Sequence, residues 1–300
     1  MPDLIVILGP TASGKTRLAV EVARRTDGAI ISADSRQVYR DMDLGTGKDL
    51  DDYGDIPHFL IDIRDAGDTY HVNQYRSDFH EALGRIRQLG KQPILCGGTG
   101  LYIQSVLQPF DYSGVPVDST LRDELGALAT DVLRERLKQL PIPRGFNADT
   151  STKKRLIRAM EISIWCERHT LPPHGHDAVP AVLFGINPPV EIRRHRITER
   201  LRMRLEQGLV DEVRRLLQKG IPHERLVYYG LEYKYVARYL LGELDEETFF
   251  ARLNTEIHRF AKRQMTYFRK MEKDGLTIHW MANGSIDDMA TEVMAISAIT

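Results

Sequence analysis

The chain has 300 residues, of which 42% are hydrophobic and 28% charged, so it can form one large domain or two smaller ones. No stretch reaches the length of a membrane span, the N-terminus lacks a signal-peptide pattern, and Cys96 and Cys166 form no C-x-x-C pair, so we expect a cytoplasmic protein with free thiols. The net charge of −1 excludes a uniformly basic nucleic-acid binder, but basic clusters at 153–158, 193–215 and 259–273 are typical of either a polyanion-binding face or solvated helix surface.

The first predicted strand, Leu4–Leu8, leads into a glycine-rich loop, and a helical pattern follows. The loop fits G-x-x-x-x-G-K-[ST] at every fixed position, and it reads Gly9, Pro10, Thr11, Ala12, Ser13, Gly14, Lys15, Thr16. In such a loop the backbone N–H groups converge on phosphate oxygens, the lysine adds positive charge, and the Thr16 hydroxyl can bind Mg²⁺. We therefore predict a site for a phosphate chain, although the loop alone does not say whose phosphates are bound or whether ATP is involved.

A second predicted strand, Gly28–Ser32, ends close to Asp34. Ligands on open α/β sheets collect at the carboxyl ends of strands, so Asp34 is expected near the phosphate loop. A carboxylate there can hold Mg²⁺ or accept a proton. The alternative is an aspartate that only caps the following turn.

The next elements alternate between strand and helix patterns. We predict a strand at Pro57–Asp62, a helix at Val72–Leu89 capped by either Thr69 or His71, and a strand at Pro93–Cys96. A second glycine-rich turn, Gly97-Gly98-Thr99-Gly100, then opens a helix, and the Thr99 hydroxyl can face the site. This alternation predicts an α/β fold with a parallel, doubly wound sheet.

From about residue 113 the strand patterns disappear and charged helical segments replace them. We predict an insertion domain at 113–180, and a P-loop core formed by 1–112 and 181–300 with a helical C-terminal region. The elements predicted here are helices at Ser119–Leu140 and Thr150–Arg168, a strand at Ala181–Ile186, a long helix from Pro188 to Lys219, helices at Leu226–Leu241 and Glu246–Met271, and a last strand at Leu276–Trp280. The loop at 172–176 contains histidines that are more typical of polar loop groups than of a metal site.

With these residues placed, the chain resembles the tRNA dimethylallyltransferase (tRNA isopentenyltransferase) family of bacterial type. The matching segments occur in order over nearly the whole chain: Gly9–Thr16, Asp34–Tyr39, Met42–Thr46, Pro57–Asp62, Gly97–Tyr102, Lys154–Glu161 and Ala261–Gln264 with Thr266, Phe268 and Arg269. The chain departs from the family pattern at Gly230-Leu231-Glu232, where Gly-Tyr-Arg is usual, and at His258, where arginine is common. The segment between Leu125 and Asp149 is also shorter than the usual insertion.

The resemblance implies a P-loop NTPase-like fold and transfer of a dimethylallyl group from dimethylallyl diphosphate to the exocyclic N6 amine of the adenosine 3′-adjacent to the anticodon. The phosphate loop with Mg²⁺ at Thr16 would hold the leaving diphosphate, and Arg196 and Arg200 would close over it. Asp34 would act as the general base, and Thr99 would position the diphosphate or the acceptor nucleotide.

The partner implied by the resemblance is the anticodon stem-loop of tRNA, bound by a protein that we expect to be a monomer. Its target base must leave the stack to reach Asp34. The residues expected to contact tRNA are Asp34, Ser35, Arg36, Gln37 and Thr99 near the site, and Arg122, Lys153, Lys154, Arg155, Leu156, Ile157 and Arg158 in the insertion.

Three other functions use the same loop. One is a P-loop kinase of a nucleoside or small molecule, which would need ATP. Another is a non-catalytic P-loop protein that binds RNA or assists assembly. The third is prenyl transfer onto free AMP or ADP, which the basic insertion and the Ala261–Gln264 segment disfavour.

Overall fold

The structure, a computed structural model, describes residues 1–109, 111–143, 146, 148–171, 177–282 and 284–299. The chain divides into two compact units, one formed by Met1–Gln108 with Ala178–Thr300 and the other by Pro109–Asp177. The boundaries predicted from the sequence, at 113 and 180, lie within four residues of these limits.

Six parallel strands form the sheet of the first unit. They are β1 (Ile5–Leu8), β2 (Gly28–Ala33), β3 (His58–Phe59), β4 (Gln92–Gly97), β5 (Val182–Gly185) and β6 (Ile278–Trp280). Their order across the sheet is β3-β2-β4-β1-β5-β6, and every pairing is parallel. The predicted parallel sheet is therefore confirmed. Because β1 lies between β4 and β5, the phosphate loop that follows it emerges at the centre of the sheet edge.

The third strand is shorter than predicted. Only His58 and Phe59 pair with β2, whereas the sequence suggested a strand over Pro57–Asp62. Leu60 and Asp62 have positive φ angles of 64° and 55°, a conformation that a strand cannot contain. The apolar run at these positions reflects burial of Leu60 in the core and not strand structure.

The helices cover both faces of the sheet and continue into the C-terminal region. They are α1 (Lys15–Thr26), α2 (Val72–Gln88), α3 (Gly100–Leu107), α4 (Ser119–Ala127), α5 (Thr130–Gln139), α6 (Lys153–Arg168), α7 (Val190–Glu206), α8 (Leu209–Gln218), α9 (His223–Tyr229), α10 (Leu231–Leu240), α11 (Glu246–Lys273) and α12 (Ile286–Ile299). A short 3₁₀ turn spans Leu50–Tyr53. None of the helices within these described ranges is long and apolar enough to cross a bilayer.

Alternate residues of β1 point into two separate cores, as expected for a strand buried on both sides. Val6 and Leu8 pack into a core shared with α2, α3 and the helices that follow β5. Ile5 and Ile7 pack into a second core with α1 and α12. The last helix, about which the sequence says little, therefore completes the layer that covers α1.

Two helices predicted as continuous are broken by glycines. The predicted helix from Pro188 to Lys219 is divided at Gly208, and the helical region Leu226–Leu241 is divided at Gly230. The backbone φ angles of Gly208 and Gly230 are 100° and 134°, which residues with a Cβ rarely adopt. The sequence prediction was wrong here because helical periodicity on both sides of each glycine hides the change of direction.

The cap of α2 is His71, one of the two residues left open by the sequence. Its backbone N–H donates to Gln74 Oε1 at 3.1 Å, so the first turn of the helix satisfies the donor of the capping residue. The helix begins one residue later, at Val72.

The second unit packs α4, α5 and α6 around a small apolar core. The predicted helix Ser119–Leu140 is in fact two helices, because Leu128 and Ala129 are extended. The core consists of Leu125, Leu133, Leu137, Leu156, Ala159 and Met160. The histidine-containing loop at 172–176 lies outside the described residues.

Candidate active site

The phosphate loop has the backbone shape that its sequence predicts. Ala12 and Gly14 have positive φ angles of 60° and 94°, and α1 begins directly afterwards at Lys15. This turn exposes the first N–H groups of α1 at its positive end, where anions bind. The loop is therefore built to accept phosphate oxygens.

The lysine of the loop lies in a desolvated position. Burial lowers the pKa of Lys15, while Cys96 and Asp34 act in the opposite direction. Burial also raises the pKa of the Cys96 thiol to about 12, while Lys15 and the Thr16 side chain act in the opposite direction. Lys15, Thr16 and Asp34 thus share one region at the ends of β1, β2 and β4, as predicted.

Asp34 follows β2 directly, and its carboxylate lies near Lys15. Its Oδ1 accepts a hydrogen bond from the Arg36 backbone N–H at 2.9 Å, so the turn-capping role considered from the sequence is present. The same carboxylate interacts electrostatically with Lys15 and with Arg200. Asp34 is half-buried, which leaves a face that a substrate can approach.

Thr99 holds the turn that carries Asp34. Its Oγ1 accepts a hydrogen bond from the Ser35 N–H at 3.1 Å, and its own N–H donates to Ala33 O at 3.1 Å. Thr99 is also the residue that precedes α3. The structure therefore brings Thr99 and Asp34 together as predicted, with Thr99 fixing the backbone on both sides of Asp34.

Gln264 on α11 connects the two glycine-rich turns, a role that sequence reasoning missed. Its Oε1 accepts a hydrogen bond from the Thr11 N–H at 2.8 Å, and its Nε2 donates to Gly98 O at 2.9 Å. A Cβ on Gly98 would overlap Gln264 Nε2, so a larger residue there would displace this amide. In the sequence, the available signal for this role was the Ala261–Gln264 motif. In the structure, Gln264 is buried while its neighbours Lys262 and Arg263 are exposed.

The two arginines predicted to close over the diphosphate lie in different environments. The Arg200 guanidinium donates a hydrogen bond to Thr11 Oγ1 in the phosphate loop. Burial and the neighbouring Arg204 lower the pKa of Arg200 to about 10, against the opposing effect of Asp49 and other acids, so it stays charged at neutral pH. Arg196, one turn earlier on α7, is exposed.

Two further charged residues near Arg200 were missed. Arg204 is buried and forms an ion pair with Asp49 at 3.5 Å. Glu232, at the start of α10, faces both arginines across a narrow cleft. The sequence offered one signal, the departure from the family pattern at Glu232, but no indication that α7 and α10 would meet.

The three residues after Asp34 comprise one buried residue, Gln37, and two half-buried residues, Ser35 and Arg36. Gln37 is buried, its Oε1 accepts a hydrogen bond from the Ser32 hydroxyl at 2.9 Å, and its Nε2 donates to Gly47 O at 3.0 Å. Base reading by Gln37 would require these contacts to break. Arg36 lies over the ring of Tyr228 at 5.0 Å, and Ser35 is half-buried.

The polar loop that follows is held by buried charged side chains. The Glu212 carboxylate accepts hydrogen bonds from the N–H groups of Asp43, Leu44 and Gly45 at 2.8–3.0 Å. Lys48 is fully buried and donates to Tyr39 O at 2.7 Å and to Asp43 at 2.6 Å. These hydrogen bonds hold the loop at residues 43–48 in place.

Several basic residues of the insertion stabilise their own unit. Arg122 and Arg158 both bind the buried carboxylate of Glu161, and Leu156 lies in the apolar core. Burial raises the pKa of Glu161, but hydrogen bonds from these arginines and from the Asp118 N–H outweigh it and hold the pKa below its ordinary value. The expected RNA contact is wrong for Leu156, which is fully buried. Arg122 and Arg158 are partly exposed, so contact between them and tRNA stays a prediction.

The remaining insertion residues lie on the outside. Lys154 and Arg155 are exposed, while Lys153 and Ile157 are half-buried. Lys153 donates to Gly126 O at 2.6 Å, and Arg155 forms an ion pair with Asp149 at 2.9 Å. Contact between these residues and tRNA stays a prediction.

Comparison with protein families places the chain among enzymes that transfer isopentenyl groups. The IPP transferase profile matches residues 37–271, and the isopentenyl transferase profile matches residues 2–53. The tRNA dimethylallyltransferase 1 of Geotalea uraniireducens is 47% identical over 300 residues, which cover 99% of this chain and 98% of that protein. The tRNA dimethylallyltransferase 2 of Porphyromonas gingivalis is 48% identical over 282 residues, which cover 93% of each.

Solved structures of similar proteins share the fold of this chain. The tRNA isopentenylpyrophosphate transferase of Bacillus halodurans is 30% identical, with a TM-score of 0.72, covering 98% of this chain and 95% of that one. A eukaryotic dimethylallyltransferase acting on tRNA is 22% identical, with a TM-score of 0.74, covering 98% of this chain and 77% of that one. At that identity the second likeness concerns the fold alone.

Proposed function

The chain belongs to the IPP transferase family, as a tRNA dimethylallyltransferase, and from this membership we propose which groups of the site carry the reaction. The enzyme transfers a dimethylallyl group to tRNA. The finer proposal is that the donor is dimethylallyl diphosphate and that the acceptor is the N6 amine of the adenosine 3′-adjacent to the anticodon. The bond between the allylic carbon and the diphosphate oxygen breaks, a carbon–nitrogen bond forms, and the amine loses one proton.

One observation carries this proposal: the phosphate loop, Arg200 and Asp34 meet at one place. The Arg200 contact to Thr11 puts a guanidinium beside the loop, and Lys15 supplies a second cation. Negative charge grows on the diphosphate as the allylic bond breaks, so these cations stabilise the transition state. Arg196 is a weaker candidate, since it is exposed one turn away.

A carboxylate next to the leaving group suits the acceptor side of the reaction. The adenine amine is a poor nucleophile because its lone pair is delocalised into the ring, and it must lose a proton as it attacks. Asp34 can accept that proton and orient the amine. Thr99 acts through Asp34, because it holds the backbone of Ala33 and Ser35 on either side.

Mg²⁺ is proposed as the metal bound with the diphosphate. The Thr16 hydroxyl lies at the start of α1 beside Lys15, the position from which a phosphate loop reaches the ion. In the described part of the chain, no group of three or more acidic, histidine or cysteine side chains forms a metal cage. This fits Mg²⁺, which binds through phosphate oxygens, water and few protein groups. When bound, it would neutralise charge on the diphosphate.

The acceptor adenosine must leave the stack of the anticodon loop to reach Asp34, at a cost of a few kcal/mol. Ser35 and Arg36 follow Asp34 and are not fully buried, so flanking nucleotides can contact them. In the insertion, exposed Lys154 and Arg155 are suited to backbone phosphates. We propose a cytoplasmic monomer, since Cys96 and Cys166 are both free thiols, as is usual in a reducing compartment.

The test incubates the protein with unmodified tRNA, Mg²⁺ and dimethylallyl diphosphate, then measures nucleosides by mass spectrometry. We expect adenosine to gain one dimethylallyl group, and Lys15→Ala to remove this product without changing the melting curve. Parallel reactions contain AMP in place of tRNA, or ATP in place of the prenyl donor. Prenylated AMP with unmodified tRNA, or phosphoryl transfer from ATP, would overturn the proposal.

A further inference from the structure

A cleft of mixed charge lies beside the phosphate loop. Arg200 and Arg204, one turn apart on α7, face Glu232 from the first turn of α10 across it. The residues that line the cleft are Ile197, Arg200, Leu201, Arg204, Glu232 and Ile257. Three of these residues are apolar, so the charges interact more strongly there than they would at an open surface.

Arg204 is a buried cation that the protein compensates only in part. Its side chain is 6% exposed, and its ion pair with Asp49 spans 3.5 Å. Its Nη2 has no hydrogen-bond partner among the residues that the structure describes. Since a buried charge without partners is costly, acids near Arg204 contribute to keeping it in place.

Glu232 is the acid that α10 supplies to this cleft. An ideal Cβ on Gly230 would lie 3.9 Å from Glu232 Oε2 and 4.0 Å from Arg36 Nε, so the carboxylate is also close to the segment after Asp34. Burial raises the pKa of Glu232, while Arg204 and Arg200 oppose the change and Asp34 adds to it. Glu232 thus faces two arginines and a second acid in a desolvated place.

We propose that Glu232 is the resident counter-ion of Arg200 and Arg204, and that it limits how tightly the site holds a diphosphate. The proposal rests on the function proposed above, in which the phosphate loop and Arg200 bind the leaving group. Before substrate binds, the carboxylate balances the two guanidinium charges. Once a diphosphate is bound, the same carboxylate repels it, which favours release of the product.

Glu232 places a negative charge in the cleft that Arg200 and Arg204 line. Arg204 supplies positive charge to the same cleft from α7. The balance of charge around the diphosphate is therefore set by α7 and α10 together.

The test measures pyrophosphate binding by calorimetry, with Mg²⁺ present, for the wild-type protein, Glu232→Gln and Glu232→Asp. Removing the negative charge should tighten pyrophosphate binding by about tenfold, because the carboxylate that faces Arg200 and Arg204 no longer repels the ligand. Glu232→Asp keeps the charge and should bind as the wild type does. Glu243→Gln, an exposed acid just after α10, is the matched control and should not change the affinity.

Equal or weaker pyrophosphate binding by Glu232→Gln, with an unchanged melting temperature, would overturn the inference. If Glu232→Gln does not fold, Arg204→Gln decides. It should weaken pyrophosphate binding by about tenfold, and unchanged affinity would overturn the inference. A wild-type protein that binds no pyrophosphate would instead overturn the proposed function, so the two failures are distinguishable.

Discussion

At the scale of single residues, Asp34 is the group on which the proposed chemistry depends. Asp34→Asn keeps the size of the side chain and the hydrogen bond to the Arg36 N–H, but it cannot accept a proton. We expect the single-turnover rate of prenyl transfer to fall by roughly two to four orders of magnitude. The dissociation constants of tRNA and dimethylallyl diphosphate should change far less, because the loss is confined to the transition state.

A magnesium series separates the two possible roles of Asp34. If Asp34 were mainly a metal ligand, Asp34→Asn would lose diphosphate affinity, and excess Mg²⁺ would partly restore it. Wild-type single-turnover chemistry in this variant would remove Asp34 from the mechanism.

Gln264 offers a second test at this scale. Gln264→Ala breaks the connection between the Thr11 N–H and Gly98 O, so the phosphate loop and the Thr99 turn can move apart. We expect kcat to fall at least tenfold, because losing alignment of the reacting groups costs rate even when binding persists. Gln218→Ala, an exposed glutamine at the end of α8, is the control for kcat and for the melting temperature. An unchanged kcat in Gln264→Ala would show that the connection has no part in catalysis.

The residues predicted from the sequence and those missed differ in a physical way. Gly9–Thr16, Asp34 and Thr99 lie at strand ends whose meeting point follows from a parallel sheet, so the sequence places them together. Gln264, Arg204 and Glu232 lie on helices far along the chain. Glu232 and Gln264 follow the breaks at Gly208 and Gly230, and periodicity does not give the direction of a helix after a break. Arg204 precedes both breaks, and its charge makes it look like a surface residue in the sequence.

At the scale of elements, Glu161 on α6 connects this helix to α4, because its carboxylate binds Arg122. Glu161→Gln leaves the partly exposed Arg122 and Arg158 guanidinium groups with a neutral partner, which should destabilise the unit by roughly 1–2 kcal/mol. Hydrogen exchange of the α6 amides measures this loss. Wild-type protection in the variant would contradict the assigned role of Glu161.

The same residue predicts a dependence on pH. Because the folded pKa of Glu161 is below its ordinary value of 4.5, its stabilising effect is complete above that value and is lost as the pH falls toward the folded pKa. The difference in α6 protection between the wild type and Glu161→Gln should therefore be constant at neutral pH and shrink below pH 4.5. A difference that does not depend on pH would show that the carboxylate is not ionised there.

The N-terminal turn of α6 also carries the proposed RNA contacts. We replace Lys153, Lys154 and Arg155 together by glutamine and measure the slope of log affinity for tRNA against log salt concentration. The slope should become flatter by the equivalent of up to about three phosphate contacts, each of which contributes somewhat under one unit. Lys154 should contribute most, because Lys153 and Arg155 already have partners within the protein. Arg134→Gln with Lys138→Gln on α5 removes two exposed charges elsewhere in the unit as a control. A slope equal to that of the wild type would place these residues away from RNA.

At the scale of the whole molecule, the fold was predictable where local pattern and topology agree. The strand–helix alternation predicted the parallel sheet that the structure has, and the change in pattern near residue 113 predicted an insertion domain. The sequence did not reveal that α12 covers α1, because a short apolar helix after the last strand has no partner that periodicity can identify. Nor did it show that Glu212 and Lys48 fix the polar loop at 43–48, since buried charges appear in the sequence as surface residues.

The central claim is that the phosphate loop holds a leaving diphosphate while tRNA receives the dimethylallyl group. The most direct measurement quantifies released pyrophosphate and prenylated adenosine in the same quenched single-turnover samples, followed by mapping of the modified nucleotide. The account predicts equal amounts of the two products and a modification at the adenosine 3′-adjacent to the anticodon. Pyrophosphate released without prenylated adenosine, or a modification at another position of the tRNA, would contradict it.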